Sequence, residues 1–94
     1  MDKSLTRPEY RLFVSQLRKA REEAGLNQAE LGKRLGETQS FISKVERGER
    51  RLDFVELDTF CGALEISVVD FAKRFERSVS ASRRRTKKGR QRRA

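Results

Sequence analysis

The stretch QAELGKRLGETQSFISKVER, residues 28–47, decides the fold of this chain. In its first half Leu31 and Leu35 lie one helical turn apart, and in its second half Ile42 and Val45 lie one turn apart. These apolar pairs can face a shared core while the polar residues between them stay in solvent. The pattern predicts two short helices that pack against each other through their apolar faces.

Glycine and threonine between the two apolar pairs predict a tight turn. Gly36 follows the first helix, where a left-handed backbone ends a helix at least cost. Thr38 can cap the next helix with its hydroxyl oxygen. We expect Gly32 to lie where the first helix passes close to the second, with room for a side chain no larger than a methyl group. Residues of these types at these offsets predict a helix-turn-helix, with helices at about 28–35 and 39–46.

The longer stretch LNQAELGKRLGETQSFISKVERG, residues 26–48, resembles the DNA-binding domain of the phage repressor and Cro family, also called the xenobiotic-response-element (XRE) family. The resemblance extends over residues 12–75. It is specific because many positions match at once, whereas a bare pair of helices with a glycine turn would be weak evidence. The resemblance implies an all-α fold, a compact five-helix repressor-like domain that contains the helix-turn-helix.

Three further helices are predicted around the motif. One begins near residue 8, because a proline suits the first turn of a helix. Its apolar stripe consists of Phe13, Leu17, Ala20 and Ala24. The capping residues Asp53 and Ser67 predict a fourth helix after residue 53 and a fifth over about 68–76. The predicted DNA-binding domain covers residues 6–77.

Glu65 departs from the resembled family, in which glycine is usual after the fourth helix. A left-handed backbone at this position would cost a glutamate about 1 kcal/mol. The departure concerns the detail of this turn and leaves the predicted fold unchanged.

The positive charge of the chain is concentrated at its end. The chain has 23 Lys and Arg residues against 14 Asp and Glu, a net charge of +9. Residues 79–94 hold eight of these basic residues and no acidic one, which leaves 15 against 14, or +1, for the other 78. Residues 78–94 are predicted to be a disordered basic tail, because they have too little apolar surface to bury. Such a tail would raise affinity for DNA without reading its sequence.

Composition argues against an enzyme. The chain has no histidine and one cysteine, Cys61, which falls in an apolar helical pattern and is predicted to be buried. A zinc site, a histidine-based catalytic pair and a phosphate-binding glycine loop are all missing from the sequence, so we expect no cofactor and no metal. No apolar run is long enough for a membrane span. We expect a cytoplasmic protein of bacterial or phage origin, associated with the nucleoid and not with membranes.

The second helix of the motif carries the residues predicted to read DNA bases. Gln39 opens this helix, and a glutamine can bond adenine N6 and N7 together. The resemblance supports four base-reading positions: Gln39, Ser40, Ser43 and Lys44. Phe41 leaves two interpretations open, since its ring could pack into the core or touch a thymine methyl group.

Residues that flank this helix are predicted to contact phosphates. Gln28 opens the preceding helix, where backbone N–H groups and the helix dipole favour an anion. The predicted phosphate contacts are Asn27, Gln28, Thr38, Arg47, Arg50 and Arg51. The resemblance also implies that Arg21 reaches Glu46 and clamps the first helix to the recognition helix.

These predictions favour a sequence-specific transcription regulator that binds double-stranded DNA, most simply a repressor on a palindromic operator. A homodimer would read two half-sites, and its surface is predicted on Val68, Val69, Phe71 and Phe75. An alternative is an antitoxin-type interaction module that binds a toxin or other protein partner and regulates its own operon. A third interpretation is a non-specific nucleic-acid binder dominated by the tail. It lacks the exposed aromatic residues expected for binding single strands.

Overall fold

The chain folds into five α-helices in a computed structural model, which describes the backbone of residues 7–90 and the side chains of residues 7–85. The helices are α1 (Pro8–Glu23), α2 (Gln28–Leu35), α3 (Gln39–Glu46), α4 (Phe54–Ala63) and α5 (Val68–Arg90). Within the described range there is no strand. The predicted all-α, five-helix fold is therefore confirmed, and no helix of the described part could cross a membrane.

Local capping residues set where the helices begin. Asn27 accepts a hydrogen bond from the Glu30 backbone, and the Glu30 side chain accepts one from the Asn27 backbone in return. Thr38 Oγ1 accepts from the Phe41 backbone N–H at 3.0 Å and starts α3. Asp53 starts α4 with the same reciprocal arrangement as Asn27. Each cap satisfies N–H groups that have no partner inside the helix.

One hydrophobic core joins all five helices. Its buried members are Leu17, Ala20, Leu31, Ile42, Val45, Phe60, Cys61, Leu64 and Phe71. The predicted stripe of α1 is correct at Leu17 and Ala20, but Ala24 lies beyond the helix end and is exposed. Cys61 is completely buried, as predicted, and burial raises the pKa of its thiol to about 11.

Gly32 packs against the turn between α2 and α3. A Cβ atom at this position would lie 2.7 Å from the Glu37 carbonyl oxygen and 3.2 Å from the Thr38 carbonyl oxygen. The prediction that a methyl group fits here is therefore wrong, because the neighbouring atoms are backbone and cannot move aside cheaply. Gly36 has φ 70° and ends α2 in the left-handed conformation, as predicted.

Glu65 adopts the left-handed backbone for which glycine is the usual residue, with φ 62°. The Arg34 side chain from α2 lies beside this turn. Its Nη1 donates to the Ala63 carbonyl at 2.8 Å and lies 3.6 Å from a Glu65 carboxylate oxygen. Arg34 thus satisfies a carbonyl in the last turn of α4 and ties the helix-turn-helix to the rest of the domain.

Helix α5 continues to Arg90, well past the predicted end near residue 76. Its apolar side chains repeat at four-residue intervals as Phe71, Phe75 and Val79. The rings of Phe71 and Phe75 both meet Phe13 of α1 edge-on, and Val79 is buried. The prediction of disorder from residue 78 is thereby corrected for residues 78–90, because packing on α1 carries the helix through the start of the basic segment. Residues 91–94 lie outside the described part of the chain.

Candidate nucleic-acid interface

Helix α3 has one face in the core and the other in solvent. Ile42 and Val45 are completely buried and fix the helix against the domain. The four predicted base-reading residues form the opposite face, which we call the polar stripe: Gln39, Ser40, Ser43 and Lys44. Three of them are exposed, and Ser43 is half-buried. The stripe is therefore open along a short, rigidly held helix, which is the form that the major groove accepts.

Gln39 is held at the start of α3 by side-chain hydrogen bonds. Its Nε2 donates to Gln28 Oε1 at 2.9 Å, and Gln28 Nε2 donates to Glu46 Oε1 at 3.0 Å. We call this series, from Gln39 through Gln28 to Glu46, the amide relay. It connects the first residue of α2 with both ends of α3, so the Gln39 side chain does not swing independently.

Arg21 and Glu46 form a buried ion pair behind the relay. Arg21 Nε lies 2.6 Å from Glu46 Oε2, and Arg21 Nη2 donates to Glu46 Oε1 at 3.0 Å. A third donor, Nη1, bonds the Leu26 carbonyl at 2.8 Å. The two side chains are only 9% and 6% exposed, and the hydrogen bond to Glu46 raises the pKa of Arg21. A bidentate ion pair thus joins α1 to the end of α3.

Asn27 and Thr38 lie at the helix starts that flank the relay, and both are exposed. Their side-chain oxygens accept backbone N–H groups as caps. The Asn27 amide N–H groups and the Thr38 hydroxyl proton are the groups that these residues can offer to a phosphate.

Arg47 and Arg50, which follow α3, each pair with a nearby carboxylate. Arg47 contacts Glu49 at 3.0 Å and also bonds the Ser43 hydroxyl. Arg50 contacts Glu56 at 2.7 Å. The hydrogen bond with Arg47 lowers the pKa of Glu49. The hydrogen bond with Arg50 lowers the pKa of Glu56 in the same way. A phosphate would have to share these two arginines with their carboxylates. Arg51, the third predicted phosphate-contacting arginine, is exposed.

Phe41 packs inward. Its ring is partly buried against the core, 6.3 Å from the Phe60 ring centroid. The Arg50 guanidinium covers another part of the ring, 5.1 Å from its centroid. The geometry favours the core interpretation of Phe41 over contact with a thymine methyl group.

Arg18 on α1 is a further candidate, which was not among the residues predicted to contact DNA. The structure places it on the rim of the cleft that also contains Arg21, Asn27, Gln28 and Gln39. It is exposed and forms an ion pair with Glu22. The available signal was its spacing, because Arg18 lies three residues before Arg21 and such residues share one helix face.

The fold and the exposed polar stripe define a DNA-binding protein of the transcription-regulator class. The family model for helix-turn-helix domains matches residues 17–71, which is more than half of the chain. The chain belongs to the XRE family of helix-turn-helix proteins.

Solved structures with the same fold include other members of this class. An XRE-family-like protein from Pseudomonas syringae pv. tomato str. DC3000 is 37% identical over 81% of this chain and 93% of its own, with a TM-score of 0.71. The restriction-modification controller protein C.Esp1396I is 25% identical over 78% of this chain and 94% of its own, with a TM-score of 0.72. The clp gene regulator ClgR from Corynebacterium glutamicum, at 23% identity over 89% of each chain and a TM-score of 0.75, shares the fold. No curated protein matches the chain.

Proposed function

We propose that this protein is a sequence-specific transcriptional repressor that binds a palindromic operator as a homodimer, with α3 in the major groove. The observation that carries the proposal is the exposed polar stripe on α3, opposite the buried Ile42 and Val45. A helix held in this way presents side chains to base edges without having to fold first. The 25% identity to a restriction-modification controller protein supports a regulatory role.

Base reading is assigned to the polar stripe. Gln39 would bond adenine N6 and N7, and Lys44 would bond guanine O6 or N7. Ser40 and Ser43 are short hydroxyl side chains that can bond either a base or a nearby phosphate. Each good bidentate contact discriminates against a wrong base by roughly 1–3 kcal/mol.

Phosphate binding is assigned to residues on both sides of the stripe. The start of α2 contributes Asn27 and Gln28, where the helix dipole favours an anion. The other proposed contacts are Thr38, Arg47, Arg50 and Arg51. We add Arg18 to the set because it lies on the same cleft rim as Gln28. These contacts would position the protein without reading sequence.

Two substitutions distinguish base reading from phosphate binding. Gln39→Ala should relax preference at one base pair of each half-site and keep the remaining consensus, because it removes one direct contact. Arg51→Ala should weaken binding to all sequences and reduce the slope of log affinity against log salt by about 0.9. Selection of sites from random duplex DNA, followed by salt titration of binding, measures both effects. An unchanged consensus for Gln39→Ala would remove Gln39 from the base-reading set.

The proposed dimer surface is formed by α1, the start of α4 and α5. An apolar groove is lined by Tyr10, Phe13, Leu52, Leu57 and Phe75, and the exposed Phe54 stands at its edge. Phe54 is 68% exposed, which is unusual for so large an apolar side chain. The rim of the groove carries both Arg7 and Asp53, so two copies related by a two-fold axis could pair these charges. Phe71, which the sequence placed on the dimer surface, is buried in the core and cannot contribute.

Phe54→Arg tests this surface. If Phe54 of each copy enters the groove of the other, the substitution should weaken the dimer at least about tenfold, because it would bury an unpaired charge in an apolar contact. Sedimentation equilibrium measures the dissociation constant. Val55→Arg is the matched control, since Val55 is 73% exposed on α4 next to Phe54 and lies outside the groove. Equal effects of the two substitutions, or no effect of either, would refute the assignment.

A further inference from the structure

We propose that the Glu46 carboxylate fixes the orientation of the Gln39 side-chain amide. This orientation makes the position select adenine over guanine. The inference rests on the proposed function, because it takes Gln39 to be a base-reading residue. Glu46 and Gln28 then act on specificity as positioning residues, through Gln39.

The first step of the relay is determined by charge. An ionised carboxylate accepts hydrogen bonds and donates none. Glu46 is held beside the Arg21 guanidinium, which donates to both of its oxygens. The Gln28 amide, 3.0 Å from Glu46 Oε1, must therefore present its N–H side. The reverse orientation would place two acceptor oxygens in contact at a site where Glu46 is 6% exposed.

The second step passes this polarity to Gln39. A primary amide has its oxygen and its nitrogen on opposite branches, so Gln28 Oε1 turns away from Glu46 and toward Gln39. Gln39 must then donate, and its Nε2 does so at 2.9 Å. One N–H and the carbonyl oxygen of Gln39 remain for the DNA.

The groups that remain on Gln39 match one purine. Adenine offers the N7 acceptor and the N6 donor, which pair with an N–H and a carbonyl oxygen respectively. Guanine offers two acceptors, N7 and O6, and would repel the Gln39 oxygen. A reversed Gln39 amide would present its nitrogen instead and favour guanine, so the direction of the relay decides between the two purines.

Three substitutions test the direction of the relay. Glu46→Gln keeps the size of the side chain but can donate as well as accept, so the relay loses its imposed direction. Gln28→Lys offers donors only, to Glu46 and to Gln39 Oε1, and should reverse the Gln39 amide. Gln28→Met removes the polar group and leaves the Gln39 amide without an imposed direction. Gln28 is half-buried at the start of α2, so its variants remain informative even if Glu46→Gln fails to fold.

The readout is the adenine-to-guanine affinity ratio at the base pair that Gln39→Ala relaxes, measured with duplexes selected from a random pool. We expect a ratio of about tenfold or more for the wild type. It should fall below about threefold for Glu46→Gln and Gln28→Met, and Gln28→Lys should invert it in favour of guanine. A merely structural role would lower affinity for both duplexes equally and leave the ratio unchanged.

The outcomes separate this inference from the proposed function. If the wild type selects a consensus with adenine at this position and all three variants keep the ratio, the inference is overturned and the proposed function stands. A wild-type preference for guanine at this position would overturn the inference and the adenine contact of Gln39, and the proposed repressor function would stand. If the wild type selects no consensus from the random pool, both fail together.

Discussion

Replacing Arg21 with methionine should lower the free energy of unfolding by about 3–5 kcal/mol, because it leaves the buried Glu46 carboxylate without its cation. The Leu26 carbonyl would lose a donor at the same time. Domains of this size are stable by only about 5–15 kcal/mol, so the variant would lose a large share of its stability. Urea denaturation followed by circular dichroism measures the change.

Arg18→Met is the matched control for the loss of a helix α1 arginine. Its ion pair with Glu22 has side chains that are 64% and 52% exposed, and exposed pairs contribute less than about 1 kcal/mol. The double variant Arg21→Met with Glu46→Met should recover part of the loss, because it leaves no unpaired buried charge. Similar losses of unfolding free energy for Arg18→Met and Arg21→Met would show that the Arg21–Glu46 ion pair contributes no more than a surface pair.

Replacing Gly32 with alanine should destabilise the domain by about 1–3 kcal/mol, the usual cost of forcing extra volume into a packed site. Helix propensity alone predicts the opposite sign, because alanine is better than glycine in a helix by about 1 kcal/mol. The clash wins because the added Cβ would lie 2.7 Å from the Glu37 carbonyl oxygen. The midpoint of thermal unfolding should fall by about 4–8 °C for each kcal/mol lost.

Gly62→Ala is the matched control inside α4. A Cβ atom at Gly62 would have no atom within 4 Å, so the same substitution should stabilise the domain by about 0.5–1 kcal/mol. Opposite signs for the two glycines are the expected result. A stabilising Gly32→Ala would contradict the close approach of α2 to the turn.

The turn between α2 and α3, against which Gly32 packs, also positions the residues of the candidate site. Gln28 and Gln39 lie eleven positions apart in the chain, yet their amides bond at 2.9 Å because α2 and α3 fold back on each other across this turn. A displaced turn would separate these amides and interrupt the amide relay. We therefore expect Gly32→Ala molecules that remain folded to bind DNA less selectively than the Gly62→Ala control.

The sequence by itself determined the helix-turn-helix and the order of the helices. The predicted helices at 28–35 and 39–46 coincide with α2 and α3, and Gly36 and Thr38 act as the predicted ends. These features were readable because caps, left-handed glycines and apolar spacing act within a few residues of one another. The burial of Ile42 and Val45, and with it the exposure of the polar stripe, follows from the same short-range spacing.

The tertiary structure alone decided which partners the polar side chains have. Arg47 and Arg50 pair with Glu49 and Glu56, and Arg18 joins the cleft beside Gln28. It also decided that α5 continues to residue 90 and that not even a methyl group fits at Gly32. Long polar side chains have many rotamers and several partners within reach, and close backbone contacts depend on how whole helices cross. Such choices are made by distances between elements, and residue types along the chain do not specify those distances.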